Sequence, residues 1–61
     1  MPRRLLRVLV VDDSVMYRKV LSDVLSNIPG VEVVGTATDG KVALAKIPQL
    51  TPDMLTLDFD M

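Results

Sequence analysis

The sequence predicts an α/β fold in which three parallel strands alternate with two helices. Its apolar segments alternate between strand spacing and helix spacing, and Gly, Pro, Asp and Asn residues mark the boundaries between them. Short connections in such an order favour right-handed crossovers and a parallel sheet. The first strand is the most uniformly apolar. We therefore expect it in the middle, giving the spatial order 2-1-3 with the helices on opposite faces.

The first half of the chain contains one strand and one helix. Leu5 to Val11 is a nearly continuous run of Leu and β-branched residues, which is typical of a parallel strand covered on both faces. From Val15 to Ile28 apolar residues recur at helical spacing, with Asp13 or Ser14 as the predicted N-cap. The run from Asn27 to Gly30 is the predicted stop of this helix.

The second half contains two strands around a second helix. Val31 to Ala37 alternates only partly, which indicates a less buried edge strand. Asp39-Gly40 is a predicted turn that opens the second helix, and Pro48 and Pro52 bracket the exit of that helix. Met54 to Leu57 is the third predicted strand.

Composition and charge exclude several classes of function. The net charge of −1 argues against a general binder of nucleic acid or anionic membranes, and we interpret Arg3, Arg4 and Arg7 as a solvated N-terminal start. The sequence has neither Cys nor His, so any bound metal must be held by oxygen. No apolar run approaches the ~20 residues of a membrane span. The apolar run that ends in Asp12-Asp13 lacks a signal-peptide cleavage site, so we expect a cytoplasmic location.

Aspartates follow the first and third strands, at one edge of the predicted sheet. Asp12 and Asp13 follow the first strand and Asp58 follows the third. Adjacent parallel strands lie about 4.8 Å apart, and ligands of such sheets bind at this edge, where the winding direction reverses. Three carboxylates this close repel one another unless a cation neutralises them, and Mg²⁺ prefers oxygen ligands. Each segment alone is also typical of a cap or a strand exit, but their joint position favours a Mg²⁺ site whose carboxylate can attack phosphorus.

The sequence contains five short motifs in a fixed order: Val10 to Ser14, Arg18, Asp39-Gly40, Pro52-Asp53 and Leu57-Asp58. In order and spacing these motifs resemble the receiver domains of two-component response regulators. Three longer runs are Asp12 to Ser22, Val33 to Ala37, and Leu55 to Asp58 followed by Asp60-Met61. These runs look specifically like the chemotaxis methylesterase regulators of the CheB type. The resemblance implies a flavodoxin-like (CheY-like) doubly wound sheet, of which residues 1–61 are the N-terminal half of the domain.

The resemblance also implies a role for each aspartate. Asp58 would be the phosphoacceptor, with its side chain also on Mg²⁺. Asp13 would coordinate the ion directly, Asp12 directly or through water, and Asp60 through its backbone carbonyl. The phosphodonor would be a phosphohistidine on a sensor kinase of the chemotaxis type. In methylesterase regulators a separate C-terminal domain carries a serine hydrolase site, so we expect the 61-residue chain itself not to be an enzyme.

Family members continue past the third strand with two more strand–helix units, which carry the switch Ser or Thr, an aromatic switch residue and a phosphate-binding Lys. We therefore expect an open outer edge on the third strand, with Met54, Leu55 and Leu57 presenting apolar side chains, and self-association through that edge.

Four residues of the first helix lie near its N-terminal end. For Arg18 and Lys19 we favour a solvated helix face over a docking role toward a kinase or a partner domain. We expect at least one of Met16 and Tyr17 to fill the core.

Three other classes of protein fit part of this pattern. A haloacid-dehalogenase-type phosphatase also has an apolar strand ending in Asp-x-Asp, with Asp58 as nucleophile and Asp60 as acid/base, but that reading leaves Asp12-Asp13 unexplained. A flavin-binding flavodoxin needs a Ser/Thr/Gly phosphate loop after the first strand, and Asp12-Asp13 would repel the phosphate. A non-phosphorylated interaction module on the same fold is the main alternative without catalysis.

Overall fold

The computed structural model describes residues 5–57, and within them the chain forms three strands and two helices in alternating order. The elements are β1 (Leu6–Val11), α1 (Val15–Ser26), β2 (Val31–Ala37), α2 (Gly40–Leu50) and β3 (Met54–Leu57). Both strand pairs are parallel, and the spatial order is β2-β1-β3. The predicted fold class and strand order are confirmed.

β1 is the centre of the structure, since both its edges are paired and both its faces are covered. Val8, Leu9 and Val10 are almost completely buried. Both helices contact β1 and β2, and within the described residues they do not contact each other, which places them on opposite faces. Leu9 and Val11 join the α2-side core, and Val8 and Val10 point to the α1 side because successive strand residues alternate in direction.

α1 begins at the predicted N-cap and ends at the predicted stop, although the helical spacing of apolar residues continues to Ile28. Ser14 is its N-cap, and the Ser14 hydroxyl accepts a hydrogen bond from the Tyr17 N–H at 3.2 Å. The helix ends at Ser26, because the N–H groups of Asn27 and Ile28 donate three residues back, to Val24 and Leu25, and tighten the last turn. The apolar periodicity up to Ile28 therefore includes two residues of a turn.

α2 begins at a cap residue that the sequence indicated and ends between the two prolines. The Asp39 side chain accepts a hydrogen bond from the Val42 N–H at 2.9 Å. Pro48 lies inside the last turn, where it provides no N–H for the helix. Thr51 closes the helix in the left-handed conformation at φ 44°, with its N–H donating to the Ile47 carbonyl at 2.7 Å.

β2 is an edge strand with an irregular register, which explains its partial alternation. Val8 of β1 pairs with Val33, but the next β1 residue, Leu9, pairs with Gly35. Val34 is thus an extra residue in β2, a bulge that changes which face the following residues point to. At Gly35 an added Cβ would lie 2.7 Å from the Cδ1 atom of Leu50 on α2.

The start of β1 is joined to the segment between α2 and β3 by a set of hydrogen bonds. The Arg7 guanidinium donates to the carbonyl and hydroxyl oxygens of Thr51, both at 3.0 Å. The Arg7 main chain exchanges two bonds with Asp53, accepting from the Asp53 N–H and donating to its carboxylate. Arg7 thus lies at the surface, but its guanidinium also makes specific hydrogen bonds that the interpretation as a solvated residue missed. Arg3 and Arg4 lie outside the described residues.

β3 has one neighbour among the described residues, namely β1. Met54 and Leu57 are about half exposed, as the open edge predicts. Leu55 differs from the prediction, because it pairs with Leu9 and packs against the α2-side core.

We predict that Gly35→Ala lowers the free energy of unfolding by about 1 kcal/mol, because the new methyl group requires only the Cδ1 end of the flexible Leu50 side chain to move aside. Urea denaturation followed by circular dichroism measures the change. Gly40→Ala is the matched control, since no atom lies within 4 Å of its added Cβ. Equal stability of the two variants would contradict the close packing of α2 on β2.

Candidate functional site

The three strands end level with one another at one edge of the sheet. Val11, the last residue of β1, pairs with Ala37 at the end of β2 and with Leu57 at the end of β3. The Asp12 N–H extends the β1–β2 pairing by one bond, to the Ala37 carbonyl at 3.0 Å. β1 and β3 therefore end at two residues, Val11 and Leu57, that pair with each other in the sheet.

Asp12 is a buried carboxylate held in one orientation. It is 3% exposed, and its Oδ1 atom accepts a hydrogen bond from the Ser14 N–H at 2.8 Å. Its Oδ2 atom has no partner among the described residues. Two hydroxyls, on Ser22 and Thr56, share this property, but only Asp12 carries a formal charge. A buried carboxylate oxygen without a donor is costly in free energy, and a cation at this edge would remove that cost.

Asp13 follows Asp12 in the chain and is exposed. The two aspartates thus present one buried and one accessible carboxylate in front of the first turn of α1. The partial positive charge of a helix N-terminus favours acidic groups at this position. The carboxylate set as a whole remains a prediction, because Asp58 and Asp60 lie outside the described residues. Within residues 5–57 no group of three potential metal ligands occurs.

Arg18 has a structural contact that the sequence interpretation missed. Its guanidinium Nη1 atom donates to the Asp12 carbonyl at 2.9 Å, and the side chain is half-buried rather than solvated. A signal was present in the sequence: a cation in the first turns of a helix opposes the helix dipole, which indicates a specific partner. Lys19, the next residue, is exposed as predicted.

Lys46 is the third basic residue whose contact was missed, after Arg7 and Arg18. Its ammonium group reaches from α2 to the Thr36 carbonyl of β2 at 2.6 Å. We find no pattern in the sequence that indicates this bond, because it depends on how α2 packs on the sheet.

Met16 and Tyr17 do not fill the core. Met16 is 80% exposed and Tyr17 is 49% exposed, so the expectation that at least one of them is a core residue is wrong. α1 has no fully buried residue, and its apolar residues Val20 and Val24 are more than half exposed. α1 therefore presents apolar side chains outward as well as toward the sheet.

The comparisons with known proteins agree with this fold. The model of the response regulator receiver domain matches residues 8–61, so the chain belongs to that family. Among solved structures, the response regulator domain of Thermotoga maritima CheB aligns with a TM-score of 0.87 and 48% identity, covering 95% of this chain and 43% of that chain. The likeness to receivers of the CheB type that the sequence motifs indicated is thereby confirmed.

Curated relatives include two proteins named protein-glutamate methylesterase/protein-glutamine glutaminase. The relative from Desulfotalea psychrophila is 59% identical to this chain over 56 residues. The relative from Myxococcus xanthus, whose name carries the number 5, is 61% identical over 56 residues. The match covers 92% of this chain in both cases, but only 15% and 16% of the relatives. Among the described residues, neither helix has the length and apolar character that crossing a membrane requires.

We predict that Asp12→Asn raises the free energy of unfolding by about 1 kcal/mol in buffer free of divalent cations, because a neutral side chain replaces a buried carboxylate with an unpartnered oxygen. Denaturation in the presence of a chelator measures the effect. Asp23→Asn, a change of the same kind at an exposed site on α1, serves as control and should leave stability unchanged. A loss of stability in Asp12→Asn would show that the carboxylate is satisfied in the absence of a cation.

Proposed function

We propose that this receiver accepts a phosphoryl group on Asp58 with the help of Mg²⁺. The observation that carries the proposal is the buried, unpartnered Oδ2 atom of Asp12, at the edge where β1 and β3 end as register partners. Asp12 directly follows Val11 and Asp58 directly follows Leu57. Continuation of the parallel register by one residue would put these two carboxylates side by side.

The residues proposed to hold the ion are Asp12, Asp13, Asp58 and the backbone carbonyl of Asp60. Their donor atoms are all oxygens, as Mg²⁺ requires, and the sequence offers no Cys or His to compete for it. When bound, Mg²⁺ neutralises charge on the carboxylates and on the phosphoryl oxygens. The chain contributes a carboxylate, Asp12, whose orientation is already fixed by the Ser14 N–H.

The proposed reaction is an exchange of one bond to phosphorus for another. A carboxylate oxygen of Asp58 would form a bond to phosphorus while the P–N bond of a phosphohistidine on a sensor kinase breaks. The electron pair of that bond stays on the leaving imidazole nitrogen. Such transfers depend mainly on positioning and charge neutralisation. The main requirement on the protein is therefore the alignment of Asp12 and Asp13 after β1 with Asp58 after β3, which we call the acidic edge.

The chain spans about 15% of the curated relatives that it matches and 43% of the solved CheB receiver. We therefore propose that residues 1–61 form the N-terminal half of a receiver whose remaining strands and helices complete the sheet. In a parent protein of the CheB type, the receiver would regulate a C-terminal protein-glutamate methylesterase and receive its phosphoryl group from a chemotaxis kinase. A cytoplasmic location follows from that assignment.

We predict that the chain gains one phosphoryl group when it is incubated with Mg²⁺ and acetyl phosphate, because the proposed metal ligands and the proposed phosphoacceptor all lie within its 61 residues. Intact-mass measurement detects the product. The gain should be lost with a chelator and in Asp58→Asn, and kept in the control Asp23→Asn. A gain that survives Asp58→Asn would place the acceptor elsewhere.

The non-phosphorylated interaction module makes the opposite prediction. In that case no phosphoryl group is added, and binding to a partner persists without Mg²⁺ and in Asp58→Ala. A haloacid-dehalogenase-type phosphatase would instead be identified by turnover of added phosphoesters.

We also propose that the 61-residue polypeptide by itself associates through the outer edge of β3. Within the described residues this edge has no paired strand, and Met54 and Leu57 are about half exposed there. An unpaired apolar edge is a template for a strand of another chain. A second copy pairing edge to edge would satisfy the free N–H and C=O groups of both strands.

We predict that light scattering at increasing concentration gives a mass above that of the monomer, and that Met54→Lys lowers it, because a charged side chain at a strand edge opposes pairing. Leu44→Lys is the control, since Leu44 is 70% exposed on α2 and away from the edge. A monomeric mass at high concentration would contradict self-association.

A further inference from the structure

We infer that Arg18 is a positioning residue for the acidic edge, which fixes the peptide group between Asp12 and Asp13. The part of the inference that concerns Mg²⁺ binding rests on the proposed function. The structural part stands on contacts within the described residues and can be measured without a metal.

The Arg18 contact completes the fixation of Asp12. The Asp12 N–H donates to Ala37 and the Oδ1 atom accepts from the Ser14 N–H. The Asp12 carbonyl accepts from the Arg18 guanidinium at 2.9 Å. With these three bonds made, Oδ2 is the one polar atom of Asp12 that has no partner among the described residues. A ligand at Oδ2 would thus meet a carboxylate that is already oriented.

The hydrogen bond from Arg18 also affects Asp13, because it holds the peptide group that joins Asp12 to Asp13. The Asp12 carbonyl and the Asp13 nitrogen belong to one planar unit, so holding the oxygen also sets the direction in which Asp13 leaves the strand. Asp13 itself is exposed, so it lacks the burial that holds Asp12 in place. The orientation of the accessible carboxylate is therefore the property most dependent on Arg18.

The identity of the residue also fits a positioning role. The Arg18 N–H makes the first α-helical bond to the Ser14 carbonyl at 2.9 Å, so the side chain starts one turn inside α1 and reaches back six residues. A charged donor makes a stronger bond to a carbonyl than a neutral one. That bond offsets the unfavourable placement of a cation near a helix N-terminus.

Charge and positioning predict opposite effects on Mg²⁺ binding. If Arg18 acted only through its charge, its removal would strengthen binding, because a cation near the site would be gone. If Arg18 positions the carboxylates, its removal weakens binding, since groups that orient metal ligands typically contribute about tenfold or more to affinity. The sign of the change therefore separates the two roles.

The first experiment is a calorimetric titration of the full chain with Mg²⁺. We expect about tenfold weaker binding in Arg18→Met and a smaller loss in Arg18→Lys, which keeps the charge and a donor. Lys19→Met, the same change at the exposed neighbouring position, should leave affinity unchanged. Unchanged or tighter binding in Arg18→Met would overturn the inference. Circular dichroism of each variant shows whether it is folded.

The second experiment needs no metal. The ¹⁵N shift of an amide responds to hydrogen bonding at the preceding carbonyl, so the Asp13 amide reports on the Arg18 bond. We expect this shift to move, and amide exchange of Ser14, whose N–H donates to the Asp12 carboxylate, to accelerate in Arg18→Met but not in Lys19→Met. Unchanged Asp13 and Ser14 amides in a folded Arg18→Met variant would overturn the inference.

The two experiments distinguish a failure of the proposed Mg²⁺ site from a failure of the Arg18 inference. If the unaltered chain binds no Mg²⁺, the proposed metal site is wrong, and the amide measurement still decides whether Arg18 positions the Asp12–Asp13 peptide. If Arg18→Met does not fold, the same measurements on Arg18→Lys decide, because a lysine keeps the charge but replaces the guanidinium with a shorter side chain and a different donor. An Arg18→Lys variant whose Asp13 ¹⁵N shift and Ser14 exchange rate both equal those of Lys19→Met would contradict the inference.

Discussion

The parallel pairing of β1 with both neighbouring strands is the constraint on which the rest of the structure depends. It buries Val8, Leu9 and Val10 between two helical layers, and it brings the ends of all three strands to one level. The same apolar run that forms the core therefore delivers Asp12 to the sheet edge. Residues 6–11 therefore determine both the packing of the core and the position of the acidic edge.

At the acidic edge, the carboxylate of Asp12 is held in one orientation, but only one of its two oxygens has a hydrogen-bond partner among the described residues. Asp12 donates a hydrogen bond to β2 and accepts one each from the N-cap Ser14 and from Arg18, yet one of its oxygens is buried without a donor among the described residues. A fold selected only for stability would avoid such an atom, because an unsatisfied buried polar group costs about 1–3 kcal/mol. Polar groups of this kind are concentrated at sites that bind ions or ligands.

The sequence was sufficient for the features that depend on local pattern. The apolar run of β1, the caps at Ser14 and Asp39 and the stop after Leu50 follow from residue types and spacing, and the strand order follows from the relative apolarity of the strands. For the site, the sequence indicated Asp12 and Asp13 as neighbours of one edge. That Asp12 is buried while Asp13 is exposed required the structure.

The features that were missed depend on tertiary contacts. Arg7, Arg18 and Lys46 each use a charged group to bind carbonyl oxygens, across 44, 6 and 10 positions in the chain respectively. A basic residue has the same appearance in a sequence whether it is solvated or bonded, so from the sequence alone Arg7 and Arg18 are interpreted as solvated and Lys46 carries no signal. The bulge at Val34 was missed for a related reason, since a strand register depends on its neighbour as well as on its own pattern.

The hydrogen bonds between Arg7 and the segment before β3 have a consequence for the order of folding. They join residues 44 and 46 positions apart, whereas the β1–β2 pairs are separated by about half that distance in the chain. The entropy of closing a loop grows with its length, and contacts between distant residues slow folding. We expect β1, α1 and β2 to assemble first and β3 to join them afterwards. The acidic edge, which needs the ends of both β1 and β3, would then be the last feature of this chain to form, after the core that supports it.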